Sequence, residues 1–352
     1  MLIREAKLED YSQIYSLNLK HNLNIPNKEE WTKIWNENPD FNFDENIIGW
    51  VIEDKNKIKG FLGFIKKKYF DDEGNEFNSL ISHNWVVDKD CRSLSLNLLN
   101  KFFNHKKFDF YINSTASFEV AKVWEALGAK KIPLKNIQST LFVPINNEKI
   151  SGIVFKNSVF KFIFTIIFKY FTKIKIISGK KNKKYNTEIV NKYDEEIKKF
   201  KQLNNETNYI QEKINYGWYI DILSKNCNVD FLKIRKDNIL VGYCILITSK
   251  TSKLKKTYLA QIQIKNDYKF DKKLYNTIVK KIYLYSKDIN SDLVEIKYID
   301  EKIFNILKKI IIFNRNYKYC SFYYYSPDKN MISKLSKKKW IISMFSGDSF
   351  LI

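Results

Sequence analysis

Apolar positions along this chain follow two rhythms, and the two alternate most clearly between Trp85 and Lys130. Trp85-Val86-Val87 reads as a short strand, interrupted by Asp88-Lys89-Asp90-Cys91. From Arg92 onward, apolar residues recur at Leu94, Leu98 and Phe102 and at Leu96, Leu99 and Phe103, the spacing of one helix face. Phe108 to Ile112 predicts a second strand. Asn113-Ser114-Thr115 suits a helix entry, because such side chains accept hydrogen bonds from the first free amides. The helix that follows carries Val120, Val123, Trp124 and Leu127, with Gly128 placed for a left-handed stop.

The same reading extends in both directions. Residues 2–6 predict a strand, and Leu8 to Leu19 a helix with Leu8, Tyr11, Ile14 and Tyr15 on one face. Asn27 is placed to cap a helix holding Trp31 and Trp35. Gly49 to Ile65 predicts a hairpin turning at Asp54-Lys55-Asn56-Lys57, and Phe70 to Ser79 a polar connection. That hairpin recurs as Phe231 to Ile247: at an offset of 182 residues Ile52 meets Ile234, Ile58 meets Leu240, Gly60 meets Gly242 and Phe61 meets Tyr243. Further on come a strand at Tyr258 to Ile264 and a helix marked by Leu274, Ile278, Ile282 and Leu284. A strand at Leu293 to Ile296, a helix at Ile303 to Ile311 and a last strand at Tyr319 to Tyr325 complete the order. Two ordinary hairpins could coincide, but the matching element order argues for a repeat. The expectation is an α/β protein with domains at 1–145 and 186–352, joined by 146–185.

The order of strand, two helices, hairpin, strand, helix, strand, helix resembles the GNAT acyltransferases. In that family a strand ends in a V-x-P-x-x-R/Q-x-x-G-x-G/A turn whose backbone amides hold the pyrophosphate of acetyl-CoA. Val87, Arg92, Ser95 and Asn97 take those places here, with Lys89 at the family proline, Ser95 at a glycine and Asn97 at the small last residue. A later signature, N…A-x-x-x-x-x-LGF/A, is matched by Asn113, Ala121, Leu127, Gly128 and Ala129. A helix N-terminus with unpaired amides is a sound place for an anion.

The resemblance implies two tandem GNAT-like domains, each a mixed, partly parallel sheet flanked by helices. It implies acetyl-CoA or another acyl-CoA as cosubstrate, no metal, and cofactor contacts from Val87, Arg92, Ser93, Leu94, Ser95, Leu96, Asn97 and Asn113. The second domain lacks the turn, since Asn266 to Asp271 contains no glycine. The implied reaction is N- or O-acyl transfer to a small, sugar-derived acceptor in a cleft between the domains. The family's frequent glutamate base falls near Ile81, where it is absent. His83 lies two residues on and on the same strand face, and an imidazole titrating near ~6.5 can serve as a base; a strand histidine with a backbone partner is the plainer alternative. The tyrosine that often protonates the leaving thiolate falls at Trp124, which leaves that role to water or Ser114. Glu119 and Glu125 beside the signature read as solvent-facing. Trp340 followed by Gly347-Asp348 resembles the ending of paired GNAT-like proteins found with bacterial surface-polysaccharide genes. That likeness makes Asp348 an acceptor-site candidate; otherwise Gly-Asp is turn chemistry.

Composition adjusts this picture in three places. The net charge of +22 suits an anionic partner, though the abundance of Lys, Asn, Ile, Phe and Tyr also fits codon bias in an AT-rich genome. Cys91, Cys227, Cys244 and Cys320 form no CxxC pair, and three histidines, His21, His83 and His105, are scattered, which argues against a zinc site and against a disulfide framework. Charge at Arg4-Glu5 leaves no room for a signal peptide's apolar core, so a cytoplasmic location is expected. Residues 153–184 start apolar and end basic, with seven lysines and no acid from Lys169 to Lys184. Their longest uncharged run, Phe162 to Phe168, is far short of the roughly 20 residues of a spanning helix. They predict an interdomain helix buried between the halves, or a surface helix touching the anionic inner face of a membrane. Two other functions remain open. One is a Fem-type aminoacyl or peptidyl transferase, whose tRNA the positive charge would suit. The other is a GNAT-like binding protein without catalysis.

Overall fold

A computed structural model describes the chain except residues 24, 42–46, 106–107, 135, 173–175, 177–183, 201–206, 252, 298–299, 318–321 and 349–352. The first part runs β1 Leu2–Ala6, α1 Tyr11–Lys20, α2 Lys28–Asn36, β2 Gly49–Asp54, β3 Lys57–Asp71, β4 Glu76–Val87, α3 Ser95–Phe103, β5 Phe110–Asn113, α4 Phe118–Ala126, β6 Lys130–Lys131 and β7 Ser139–Pro144. There follow α5 Asn147–Val154, α6 Ser158–Thr172, β8 Asn186–Val190, α7 Glu195–Lys198, β9 Tyr209–Glu212, α8 Tyr216–Leu223, β10 Asn228–Lys236, β11 Ile239–Lys250 and β12 Lys255–Ile264. The last are α9 Lys272–Asp288, β13 Leu293–Ile296, α10 Glu301–Lys308, β14 Asn314–Asn316, β15 Tyr323–Tyr325, α11 Lys329–Lys337 and β16 Lys339–Ile341.

Local chemistry accounts for many of these boundaries. The Asn27 side chain caps α2 by accepting from the Glu30 amide at 3.0 Å. Lys55-Asn56 and Asp237-Asn238 all have positive φ, between 49° and 62°, the left-handed pair that a tight two-residue hairpin requires. The segment expected as a polar connection at 70–79 is instead a second hairpin. Asp71 turns the chain there by accepting from the amides of Glu73 and Asn75 at 3.1 and 3.0 Å, so β3 and β4 are longer than their apolar runs suggested. The 182-residue repeat keeps its register: Ile52 faces Gly60 and Ile234 faces Gly242, and a β-bulge follows Ile52 and Ile234 alike.

The chain forms two compact units. One gathers residues 1–134, 206–222 and 319–352; the other gathers 135–205 and 223–318. The first unit's sheet has the order β1-β2-β3-β4-β5-β15-β6, with β9 on the far end of β3 and β16 on β9. The second unit's sheet has the order β8-β10-β11-β12-β13-β7-β14. β4–β5 and β12–β13 are parallel, and the pairs on either side of them are antiparallel. The two sheets thus have one plan: four antiparallel strands, one parallel strand, an incoming strand and a short edge. The incoming strands are exchanged. β7 comes from the first half of the sequence and sits in the second unit, burying Leu141 and Val143. β15 comes from the second half and pairs with β5 in the first unit. The last strand expected at 319–325 therefore belongs to the other sheet, and its residues 319–321, including Cys320, lie outside the described set.

The second unit also holds α6. α6 buries Phe168, which meets Phe313 edge-on at 4.9 Å, while Phe164 stacks on Phe155 at 4.0 Å. Its opposite face is exposed. Most of the lysine-rich run after it, including Lys173, lies outside the described residues. Among the described residues no helix is long and apolar enough to cross a membrane.

Two glycines test the packing with opposite signs. A Cβ at Gly242 would lie 2.7 Å from the Gln263 carbonyl oxygen, whereas one at Gly152, inside α5, would meet the Lys161 stem at an ordinary 3.5 Å. Gly242→Ala is expected to destabilise the second unit by about 1–3 kcal/mol, and Gly152→Ala to stabilise it by about 0.5–1 kcal/mol. Urea unfolding followed by circular dichroism checks both.

Candidate active site

β4 and β5 run parallel over Ser79–Ile81 and Phe110–Ile112, and their pairing ends there. β4 then bulges: Gly63 of β3 faces His83 and Phe61 faces Val86, so that Asn84 and Trp85 share the space opposite Leu62. Asn84 takes φ 50° to make the bulge. β5 stops at Asn113. Past these carboxyl ends, where ligand crevices of open α/β sheets form, the chain brings in Gly347-Asp348.

Asp348 bridges the two strand ends. One carboxylate oxygen accepts from Ser114 Oγ at 2.5 Å and from Thr115 Oγ1 at 3.2 Å; the other lies 3.3 Å from His83 Nδ1. The Asp348 amide donates back to Ser114 Oγ at 3.0 Å. His83, Ser114 and Asp348 are all fully buried. Asn84 Nδ2 sits 3.2 Å from His83 Nε2. An amide donor there makes Nε2 an acceptor and leaves the proton on Nδ1, facing Asp348; the tautomer is assigned from this network. Gly347 has φ +83°, and a Cβ on it would lie 2.2 Å from Ser114 Oγ, so no larger residue can deliver Asp348 to this position.

A second buried group adjoins the first through Gly347. The Gly347 amide donates to Glu212 Oε2 at 3.0 Å, and its carbonyl accepts from Tyr219 OH at 3.0 Å. Glu212 also accepts from Tyr69 OH at 3.3 Å and pairs with Lys67 at 3.5 Å. The Lys67 ammonium lies 4.1 Å from the ring centroids of both Trp218 and Tyr219, close enough for cation–π attraction. Burial pulls Lys67 down to about 8, against the opposing fields of Glu212 and Asp40. Burial raises Glu212, partly offset by Lys67. Tyr69 and Tyr219 are held far above the ordinary phenol range by burial and by Glu212. Buried groups shifted in this way gather at functional sites and in structural ion clusters alike.

The residues of the expected phosphate turn lie apart in kind from this buried set. Lys89–Leu94 forms a 3-10 turn that runs straight into α3. The Cys91 amide donates to the Asp88 carbonyl and the Ser95 amide to the Arg92 carbonyl. Arg92, Ser93, Leu96 and Asn97 are exposed, and Val87, Leu94 and Ser95 are half-buried. Arg92 makes no ion pair among the described residues. Asn113 is buried and its side chain accepts from the Thr115 amide at 3.1 Å. The helix expected to start at Asn113-Ser114-Thr115 starts instead at Phe118, capped by Ser117, because the Ser114 hydroxyl is occupied by Asp348. Trp124 is a core residue, fully buried with its ring 5.0 Å from Phe103. Glu119 bonds to the Ser117 hydroxyl, and Glu125 to Tyr323 and Lys131.

The sequence reading missed Lys67, Glu212 and Tyr219. The available signal was a run of three lysines, Lys66-Lys67-Lys68, following the apolar run of β3, and a glutamate closing the short strand β9.

No protein-family model matches the sequence, and no curated protein matches it. Solved structures do. The GCN5-related N-acetyltransferase from Anabaena variabilis ATCC 29413 aligns with a TM-score of 0.55 at 10% identity, over 92% of this chain and 72% of that one. Saccharomyces cerevisiae N-myristoyltransferase with bound myristoyl-CoA aligns with a TM-score of 0.55 at 12% identity, over 92% and 82%. Eis1 from Mycobacterium abscessus gives 0.51 at 8% identity, over 93% and 73%. At these identities the likeness is one of fold. The chain has a GNAT-like fold, with two mixed, partly parallel sheets flanked by helices.

Two expectations follow for the buried groups. Gly347→Ala should expel Asp348 from its seat and lower stability by roughly 2–4 kcal/mol in urea unfolding. Lys67→Met should make stability depend on pH in a defined direction. In the unfolded chain Lys67 titrates near ~10.4, so between about 8 and that value the unfolded state binds more protons and the wild type gains stability as pH rises. Glu212, raised in the folded state, contributes stability that is lost as pH rises through its folded value, and more so without Lys67. The melting temperature of the wild type should therefore pull ahead of the variant's from pH 6 to pH 10 in scanning calorimetry; a constant gap would count against a buried Lys67 charge.

Proposed function

We propose that the chain is an acyl-CoA-dependent N- or O-acyltransferase acting on a small, sugar-derived acceptor. The observation that carries the reading is the meeting of His83, Ser114 and Asp348 at the carboxyl ends of the parallel strands. These residues are far apart in sequence. The fold supports the acyl-CoA part: the yeast N-myristoyltransferase of like fold is seen with myristoyl-CoA. The C-terminal Gly-Asp ending, with its likeness to paired GNAT-like proteins of polysaccharide loci, supports the sugar-derived acceptor and the tandem arrangement.

The thioester supplies an activated acyl carbon. Once the acceptor displaces the Asn84 amide from it, His83 Nε2 is the atom suited to take the proton from the acceptor's N–H or O–H as the new C–N or C–O bond forms and the C–S bond breaks. Asp348 holds the imidazole in its Nδ1–H form and steadies the imidazolium. The leaving thiolate takes a proton from water, and the proton taken up by His83 passes to solvent as the product leaves. Holding the acceptor beside the thioester accounts for much of the rate, since orientation is worth roughly 7–11 kcal/mol in favourable cases. Because the amides of Cys91 and Ser95 are used within the turn, the residue suited to hold a CoA phosphate is the exposed Arg92, which has no ion pair among the described residues, with Ser93 beside it.

Titration calorimetry with acetyl-CoA tests the reading. Binding is expected, weakened about tenfold or more by Arg92→Ala and preserved in Asn97→Gly, which opens space beside the turn. Asp348→Asn keeps the shape and is expected to retain acetyl-CoA binding while lowering acyl transfer by roughly a hundredfold. No binding heat at millimolar acetyl-CoA would leave a GNAT-like binding protein in its place.

A further inference from the structure

α6 packs one face into the second unit and turns an apolar face to water. Phe164 and Phe168 point inward, in the small cluster with Ile150, Leu293, Phe142 and Phe313. Val159, Phe162, Ile163, Ile166 and Tyr170 are 62%, 67%, 43%, 51% and 60% exposed. Their spacing of 3, 4, 7 and 11 residues from Val159 places them on one stripe, opposite the packed side. Ile153 and Val154, at the end of the adjoining α5, are 51% and 59% exposed. An exposed amphipathic helix normally presents polar residues to water, so this inversion marks a docking surface.

The charge around the stripe points to its occupant. From Lys149 to Thr187 the sequence contains no Asp or Glu. Lys156, Lys161 and Lys169 are exposed and make no ion pair among the described residues. The Lys161 stem lies over Gly152 of α5, on the face that also carries Phe164 and Phe168, so Lys156 and Lys169 are the lysines beside the apolar stripe. An aromatic and branched apolar stripe edged by unpaired lysines complements one surface above others: apolar acyl chains beneath anionic headgroups. At 15 residues α6 is too short to span, and a helix of this kind lies in the plane of the interface.

We propose that α6 is an in-plane membrane anchor that seats this protein on an anionic lipid leaflet, with Val159, Phe162, Ile163, Ile166 and Tyr170 entering the headgroup boundary and Lys156 and Lys169 meeting the lipid phosphates. The proposal is independent of the reaction at Asp348.

Sedimentation of the full chain with lipid vesicles tests it. Binding is expected to vesicles of phosphatidylcholine with about 30% phosphatidylglycerol, at least about tenfold weaker to phosphatidylcholine alone, and reduced at about 0.5 M salt, where surface charge is screened. Phe162→Ser with Ile166→Ser changes exposed side chains and should leave the melting temperature in place while abolishing vesicle binding. Lys156→Gln with Lys169→Gln should keep residual binding and lose the preference for the anionic lipid. Absence of binding by the unaltered chain, equal binding to both vesicles, or full binding by the serine variant would overturn the proposal. So would a dimer in sedimentation velocity that dissociates with Phe162→Ser and Ile166→Ser, which would assign the stripe to a second copy.

Discussion

A carboxylate removed from water must find compensating partners or it unfolds its surroundings. Asp348 is such a carboxylate, and the first unit is arranged to receive it. Two hydroxyls and an imidazole face its oxygens, and its own amide closes the ring on Ser114. These partners come from β4 and from the end of β5, so one side chain ties together strands that no longer pair with each other. The C-terminal segment is thereby a structural member of the sheet's open end.

The same backbone that carries Asp348 organises the neighbouring charges. Gly347 gives its amide to Glu212 and takes the Tyr219 hydroxyl on its carbonyl. Glu212 in turn offsets part of the cost of burying Lys67, whose remaining compensation comes from the faces of Trp218 and Tyr219. In a region of low dielectric these contacts reinforce one another, and the removal of one member leaves another unsatisfied. A conformational change at the C-terminal segment would therefore alter the charge state of β3 and the orientation of His83 together.

The elements were legible where periodicity and turn chemistry agreed. The hairpins at Lys55-Asn56 and Asp237-Asn238 announced themselves by left-handed residues between apolar runs, and Leu293–Ile296 was readable to the residue. His83, Ser114 and Asp348 could be singled out one by one, Ser114 and Asp348 through the GNAT resemblance, but their meeting could not, because no local rule links positions so far apart in the chain. Lys67 and Glu212 stayed hidden for a related reason: a lysine in a strand is ordinarily a solvated edge residue, and only a glutamate arriving from a different segment makes its burial tolerable. The exchange of β7 and β15 was likewise invisible. An apolar run such as Thr140 to Val143 specifies that it will be covered on both faces, not which sheet will cover it.

That exchange has a consequence for how the molecule comes into being. The first sheet lacks the partner between β5 and β6 until residues 323–325 have left the ribosome, and its polar end stays unfilled until Asp348 does. The N-terminal third of the chain must wait, with an unpaired strand edge, through the synthesis of nearly everything else. A chain interrupted before β15 would keep that edge open, and an unpaired edge is a template for pairing with other chains.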